Sequence, residues 1–241
     1  MRVSGNLILI FMIPFFAFAA VFAEEPFFAA AQPAGKLFVS EKLTYKVKYL
    51  KIPVGEGIAE IAEIVPLGDR KAYHIRVRVR SYPILDLVRK VRGEYHSFID
   101  AEKLYSLGYE KKLSEGKDRA AETAEIPAGF QDEISCGYWF RMQPVGENSS
   151  VMIPVRADGK NWNMEVKTGT SRRMKIKGVG EFVALEVEPL MEFRGFFSRR
   201  GRARGWVSLD ERRIPLKMKV KVPVLGNVTA ELSRYEAGKS G

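Results

Sequence analysis

Five arginines fall between Arg194 and Arg204: Arg194, Arg199, Arg200, Arg202 and Arg204, set around Phe193, Phe196 and Phe197. A guanidinium fork matches phosphate at two points, and exposed aromatic rings insert among acyl chains or sugars. This chemistry suits an anionic lipid headgroup or lipopolysaccharide. The plainer reading is a hairpin loop whose phenylalanines tuck under a sheet and whose arginines are solvated. A second group, Arg76, Arg78 and Arg80, alternates with Val77 and Val79. Three cations on one face of one strand repel, so the stripe calls for an acidic neighbouring strand or an anionic partner. These eight arginines are the candidate ligand contacts.

Catalytic and metal chemistry has less support. His74 and His96 are the only histidines. On a strand His74 shares the face of Arg76, Arg78 and Arg80, where a divalent cation would be repelled. His96 has only Glu94 and Asp100 nearby, too few ligands for a metal site. There is no G-x-S-x-G elbow and no compelling Ser-His-acid spacing. Gly178-Val179-Gly180 lacks the third glycine and the helix of a dinucleotide loop. Cys136 is the only cysteine, so an internal disulfide is excluded. Its neighbours Ile134, Tyr138, Trp139 and Phe140 make an apolar setting, which raises a thiol pKa and dulls it. No cofactor and no metal are expected.

The elements that must position these residues are mostly strands. Leu43, Tyr45, Val47 and Tyr49 alternate with polar residues, as do Tyr73, Ile75, Val77 and Val79. Weaker alternation marks Ile58–Val65, Glu94–Ile99, Tyr105–Leu113, Arg119–Glu125, Val151–Val155, Asn161–Val166, Arg173–Ile176, Phe182–Val187, Arg202–Leu209, Ile214–Val222 and Val228–Tyr235. Short turns such as Gly68-Asp69 and Gly226-Asn227 separate them. Two segments read as helix. Ile84, Leu87, Val88 and Val91 fall at i, i+3, i+4 and i+7 behind Pro83. Asp132 can cap a second helix with Ile134, Tyr138 and Met142 on one stripe. The expected fold is mainly β: a large antiparallel curled sheet or open barrel, with two short helices over one face or mouth. An outer-membrane barrel ranks below a soluble domain, because charge and proline occur on both registers.

At the N-terminus one arginine precedes an apolar stretch from Leu7 to Ala23, with a small-residue exit before Glu24-Glu25. This is the pattern of a cleaved secretory signal and is short for a membrane span. The organisation expected is a signal peptide over 1–23, a flexible leader over 24–36 and a single β-rich periplasmic domain over 37–241. Without residues 1–23 the chain keeps 38 Lys+Arg against 29 Asp+Glu. In an exported protein that excess points to envelope anions rather than nucleic acid, or simply to solubility.

The opening Glu41-Lys42-Leu43-Thr44-Tyr45, followed by Ile52-Pro53-Val54-Gly55-Glu56-Gly57, resembles the start of the DUF3108 family of exported bacterial proteins. The strand pair from Tyr95 to Asp100 and the aromatic helix ending in Arg141 resemble its middle. Gly205-Trp206-Val207-Ser208-Leu209-Asp210-Glu211-Arg212-Arg213-Ile214-Pro215-Leu216-Lys217, then Gly226-Asn227-Val228-Thr229-Ala230-Glu231-Leu232, resembles its end. Cys136-Gly137 departs from the small apolar residues expected in that helix. The resemblance spans about residues 41–235. It implies a Gram-negative periplasmic setting and a β-rich fold, and it carries no activity. The reading that follows is a non-catalytic periplasmic envelope protein that binds an apolar or amphipathic molecule, with anionic lipid, lipopolysaccharide or an envelope protein as partner. An assembly factor without a small ligand is the alternative, and a hydrolase without a recognisable motif the third.

Overall fold

The computed structural model describes residues 36–157, 159–190, 202–222 and 226–240. The signal segment and all but the last residue of the leader lie outside these residues. Among the described residues no helix is long and apolar enough to cross a membrane.

The described residues form fourteen strands and two helices. A small sheet pairs β1 (Phe38–Val39) with β14 (Lys239–Ser240). All other strands join one antiparallel sheet of twelve. One six-stranded meander runs through β2 (Lys42–Tyr49), β3 (Ile52–Leu67), β4 (Arg70–Ser81), β5 (Val91–Asp100), β6 (Ser106–Glu115) and β7 (Asp118–Ala124). The second runs through β8 (Ser150–Ala157), β9 (Lys160–Ile176), β10 (Gly180–Leu190), β11 (Arg202–Ser208), β12 (Pro215–Val222) and β13 (Gly226–Glu236). The pair β2–β13 welds the two meanders together, which leaves β7 and β8 as the sheet's edges.

The antiparallel curled sheet and both short helices agree with the sequence pattern. Two details differ. Asn161–Val166 and Arg173–Ile176 are parts of one long strand, β9. Between them Ser171 pairs with Leu185 and Thr168 with Val187, so Gly169 and Thr170 face Glu186 alone and β9 carries a bulge there without leaving the sheet. The β1–β14 pair is absent from the sequence reading because two-residue strands carry no periodicity.

The edges β7 and β8 do not pair with each other. Residues 130 and 131 instead link β8 to the start of β6, the strand next to the β7 edge. Ser106 N–H donates to the Phe130 carbonyl (3.0 Å), Gln131 N–H donates to the Pro154 carbonyl (2.8 Å), and Arg156 N–H donates to the Gln131 carbonyl (2.7 Å). One short segment therefore ties the two ends of the curl, and the helix that follows it is drawn inside.

That helix is α2 (Ser135–Arg141). It begins one turn after Asp132, whose Oδ1 accepts from the backbone N–H of Ile134 (2.6 Å) and Ser135 (2.9 Å). Ile134, Tyr138 and Met142 pack on Ile61, Ile75, Val77 and Tyr95 of the first meander. Cys136 and Phe140 pack on Ile153, Val166, Leu185 and Val207 of the second. The curl is thus filled by its own helix.

The other helix, α1 (Pro83–Arg89), joins β4 to β5 and buries none of its residues. The expected apolar stripe is present, but Ile84, Leu87 and Val88 face solvent and Val91 belongs to β5. Leu85, off that stripe, is the residue that packs inward, near Val47, Val54 and Val228. The helix is pinned by a polar knot. Ser81 Oγ accepts from Val91 N–H (2.8 Å) and from Arg92 Nη1 (3.0 Å) and donates to Asp86.

Outside, the sheet is laced with ion pairs. Glu231 lies between Lys48 (3.3 Å) and Lys217 (3.0 Å). Such an outer surface is incompatible with lipid contact all round, so the strand alternation is that of a water-facing curl with an apolar interior.

Candidate functional site

Between α2 and strands β2, β3, β12 and β13 the core leaves a cavity of about 210 Å³. Leu43, Val47, Ala59, Val77, Met218 and Val228 line it, and Tyr45, Glu133, Tyr138 and Arg141 stand at its helix end. Two of its wall positions are glycines, Gly57 on β3 and Gly137 on α2. A Cβ built on either meets nothing within 4 Å, so the space is left by missing side chains rather than by poor packing of large ones. The lining runs as far as Val47, Val220 and Val228, the cluster into which Leu85 of α1 packs.

The polar groups at the helix end are already committed. Arg141 and Glu41 form a buried fork, Nη1 to Oε2 at 2.7 Å and Nη2 to Oε1 at 2.8 Å. Arg141 also donates from Nε (3.1 Å) and Nη2 (2.9 Å) to the Arg212 carbonyl, and its guanidinium lies 5.3 Å from the Tyr138 ring centroid. Burial pulls the Arg141 pKa down, and the Glu41 carboxylate more than offsets it. Tyr45 donates to the Pro215 carbonyl (2.8 Å). Burial pushes both the Tyr45 and Tyr138 hydroxyls well above the ordinary tyrosine range. Glu133 accepts from Tyr109 (3.0 Å) and lies 3.7 Å from Lys111. A guest in this cavity therefore meets an apolar wall, with few free donors or acceptors at its depth.

Nothing here resembles a nucleophile with its base. Asp132 accepts from Ser97 (2.6 Å) and Ser106, but this fully buried trio holds the seam segment in place. Burial raises the Asp132 pKa, which the two serines and two backbone N–H groups counter. Cys136 is buried, and burial pushes its thiol well up, as the apolar neighbours in sequence suggest. Among the described residues no cluster of three or more His, Cys, Asp or Glu is arranged to hold a metal.

The predicted arginines that the structure describes do not line this cavity. Arg194, Arg199 and Arg200 lie outside the described residues, and Arg202 is placed only as the first residue of β11. Arg204 is exposed and pairs with Glu186 at 3.0 Å. Arg80 pairs with Glu56 through Nε (3.1 Å) and Nη2 (2.9 Å), and Arg78 with Glu60 (3.6 Å). Glu60 faces Arg76 across the strands. The stripe has its acidic neighbour strand, β3. Arg78 and Arg80 also line an outer groove of about 930 Å³ with Arg92, Lys112 and Arg119. An anion reaching that groove must compete with Glu56 and Glu94, which line it too. The groove is larger than the interior cavity, but three of its five cations, Arg78, Arg80 and Arg92, are already paired with acids.

His74 lies on the same face as the arginine stripe, yet it is buried. Its ring stacks on Phe98 (centroids 4.9 Å apart), and its Nε2 lies 2.8 Å from Nδ1 of His96. Glu63 approaches the other ring nitrogen at 3.7 Å. A bulge in β3 between Ile61 and Glu63 brings this carboxylate opposite His74. Alternation in β4 alone carries no sign of that packing.

The site residues that sequence chemistry missed are Glu41, Arg141 and Gly137. Glu41 and Arg141 are 100 residues apart, so no local spacing links them. Only the family resemblance groups them: its opening, middle and terminal blocks supply Glu41, Arg141 and the Arg212 carbonyl, which meet at one point.

Fold and site together define a curled-sheet protein with an internal helical plug and an apolar interior cavity. The chain belongs to the DUF3108 family of proteins of unknown function, whose model matches residues 44–126 and 117–233. No curated protein matches it. Among solved structures it is similar to a β-barrel-like DUF1849 protein from Brucella abortus, at 10% identity and a TM-score of 0.48, covering 83% of this chain and 98% of that one. It is also similar to a protein from Bacteroides fragilis described as exported with a YmcC-like fold, at 8% identity and a TM-score of 0.34, covering 86% and 99%. A third, from Parabacteroides distasonis and described as a lipoprotein, shares 11% identity with a TM-score of 0.38, covering 86% and 99%.

Proposed function

We propose that this is a non-catalytic periplasmic protein of the cell envelope whose interior cavity holds the apolar part of an amphipathic, lipid-like molecule. The cavity between α2 and strands β2, β3, β12 and β13 carries this reading. Its walls are apolar, its two glycines leave room, and Glu41, Arg141 and Tyr45 at its depth have partners of their own. At about 210 Å³ it is smaller than the roughly 300–1,000 Å³ of drug-sized pockets, which favours one slim chain over a bulky ring system. With Arg141 held by Glu41, Lys217 by Glu231 and Tyr45 by Pro215, a charged head meets no unpaired cation inside and belongs at the rim. The apolar stretch Leu7–Ala23 behind Arg2 supports export.

Native mass spectrometry of the protein purified from envelope fractions tests the carrier reading. Wild type should retain a lipid-like mass that Gly57→Leu/Gly137→Leu loses, because both side chains grow into open space. A wild-type protein that carries no such mass and takes up no fatty acid added at micromolar concentration would overturn it. The assembly-factor reading has one observation of its own: β7 is a sheet edge, open to an added strand except where Phe130 reaches β6. Capture of a stoichiometric envelope protein by a ligand-free chain would favour it.

A further inference from the structure

The turn between β2 and β3, helix α1 and the β6–β7 turn lie at one end of the curl. Tyr82 N–H, just before α1, donates to the Val54 carbonyl beside the first turn, and Gly116 N–H in the β6–β7 turn donates to the Lys90 carbonyl just after the helix (both 2.8 Å). This rim is unusually apolar. Leu87 is 88% exposed and Val88 86%, while Leu50, Ile52 and Ile84 are each more than half exposed. Single exposed apolar residues are ordinary, but a group of five on one rim marks an interaction surface.

The charge around the rim indicates what would cover it. Lys51, Lys90 and Lys117 are exposed and form no ion pair among the described residues. The acids of the same rim are engaged: Asp86 with Arg92 (2.8 Å), and Glu115 and Asp118 with Arg89. Apolar side chains ringed by exposed lysines complement the interface of an anionic bilayer, where the chains enter the headgroup layer and the ammonium groups meet phosphate. The interior cavity runs toward this same end, to Val47, Val220 and Val228 beneath Leu85.

We propose that the α1 rim is a docking surface for anionic membrane, and that it places the end of the interior cavity against lipid. The second clause rests on the carrier reading above; the first does not. Docking would let an acyl chain move between bilayer and cavity without crossing water.

Co-sedimentation with vesicles of phosphatidylethanolamine and phosphatidylglycerol (7:3) tests it, with phosphatidylcholine vesicles as control. Wild type should bind the anionic vesicles at low salt and weaken as salt rises, because exposed charge attraction is screened over ~8 Å at physiological ionic strength. Leu87→Glu/Val88→Glu should weaken binding at least tenfold with its circular dichroism unchanged, since neither side chain is packed. Lys51→Gln/Lys90→Gln/Lys117→Gln should weaken binding to anionic vesicles and flatten the salt dependence. Wild-type binding that the double glutamate variant leaves intact would overturn the proposal. So would a wild-type dimer, seen by light scattering, that the same variant splits into monomers, because the rim would then be covered by a second copy. The two readings separate cleanly. Gly57→Leu/Gly137→Leu should lose its cargo and still bind vesicles, whereas Leu87→Glu/Val88→Glu should bind vesicles at least tenfold more weakly and still take up fatty acid added in solution. A cargo-loaded wild type that ignores anionic vesicles sinks the docking surface alone.

Discussion

Helices α1 and α2 are each seven residues long, and both carry apolar residues at helical spacing, yet their fates are opposite. α2 buries Ser135, Cys136, Tyr138, Phe140 and Arg141; α1 buries nothing. The difference lies in what precedes them. The chain before α2 is tied to β6 and to the edge strand β8 through residues 130 and 131, and Asp132 is anchored by Ser97 and Ser106, so the helix has no route except inward. α1 follows β4 directly and returns at once into β5, so it can only lie across the end of the sheet. A helix of two turns has little stability of its own. Each is therefore held by its surroundings: α2 by core and a buried ion pair, α1 by a polar knot and one apolar residue.

The largest expected effect in this comparison comes from the anchor of α2. Arg141→Ala leaves Glu41 as an unpaired buried carboxylate, and breaking such a pair costs about 3–5 kcal/mol. Urea denaturation should show a loss of that size, and a change below about 1 kcal/mol would mean that the fork is not a structural tie. Phe140→Ala removes a ring packed against the second meander and should cost about 3–5 kcal/mol with the slope of the unfolding transition unchanged.

The weaker anchor of α1 predicts a smaller loss. Ser81→Ala takes from Val91 N–H its hydrogen-bond partner in a buried setting and removes one contact each from Asp86 and Arg92. An orphaned buried donor costs about 1–3 kcal/mol. Hydrogen exchange should quicken first at the β4–α1–β5 corner, while protection around α2 is kept. Uniform loss of protection would show that the two helices are one cooperative unit.

Much of this contrast was legible in the sequence. Strand alternation placed nearly every element of the sheet, and the stripe Ile134, Tyr138 and Met142 identified the inward face of α2. The same logic applied to Ile84, Leu87 and Val88 expects burial and meets exposure. Periodicity reports which residues share a face of a helix, but not whether the chain on either side lets that face reach a core. Ion pairing was legible in part: Arg76, Arg78 and Arg80 called for an acidic strand or an anionic partner, and Glu56 and Glu60 of β3 supply the first. The Glu41–Arg141 pair and the two cavity glycines were not legible as a site, because they come together only when the curl closes around α2.

A pH effect should come from the outer face, independently of both helices. Burial holds the His74 pKa below its ordinary value, helped by His96 and Arg76 and opposed by Glu63. His96 in turn has Glu94 at 3.7 Å. A histidine with a depressed folded pKa is protonated first in the unfolded chain, so its contribution is whole above a pH of about 6.5 and is lost as the pH falls through the folded value. The melting temperature of wild type should drop more between pH 7 and pH 5 than that of His74→Gln. Parallel curves would assign the acid sensitivity to other groups.

The smallest expected effect is the sharpest test of the comparison. Leu87 and Val88 are solvated in the folded protein almost as fully as in the unfolded chain. Their contact with water hardly changes on folding, and apolar side chains stabilise a fold only in proportion to the area taken from water. Leu87→Ser/Val88→Ser should therefore shift the unfolding free energy by no more than about 0.5 kcal/mol, although it deletes two large aliphatic groups from a helix. Comparable truncation in α2 costs several times as much. If the serine variant is destabilised by more than about 1 kcal/mol, these side chains are packed against something within the protein, and the rim is not free to meet a bilayer. If stability is unchanged while vesicle binding falls, then α1 contributes to association rather than to folding, which is the converse of α2.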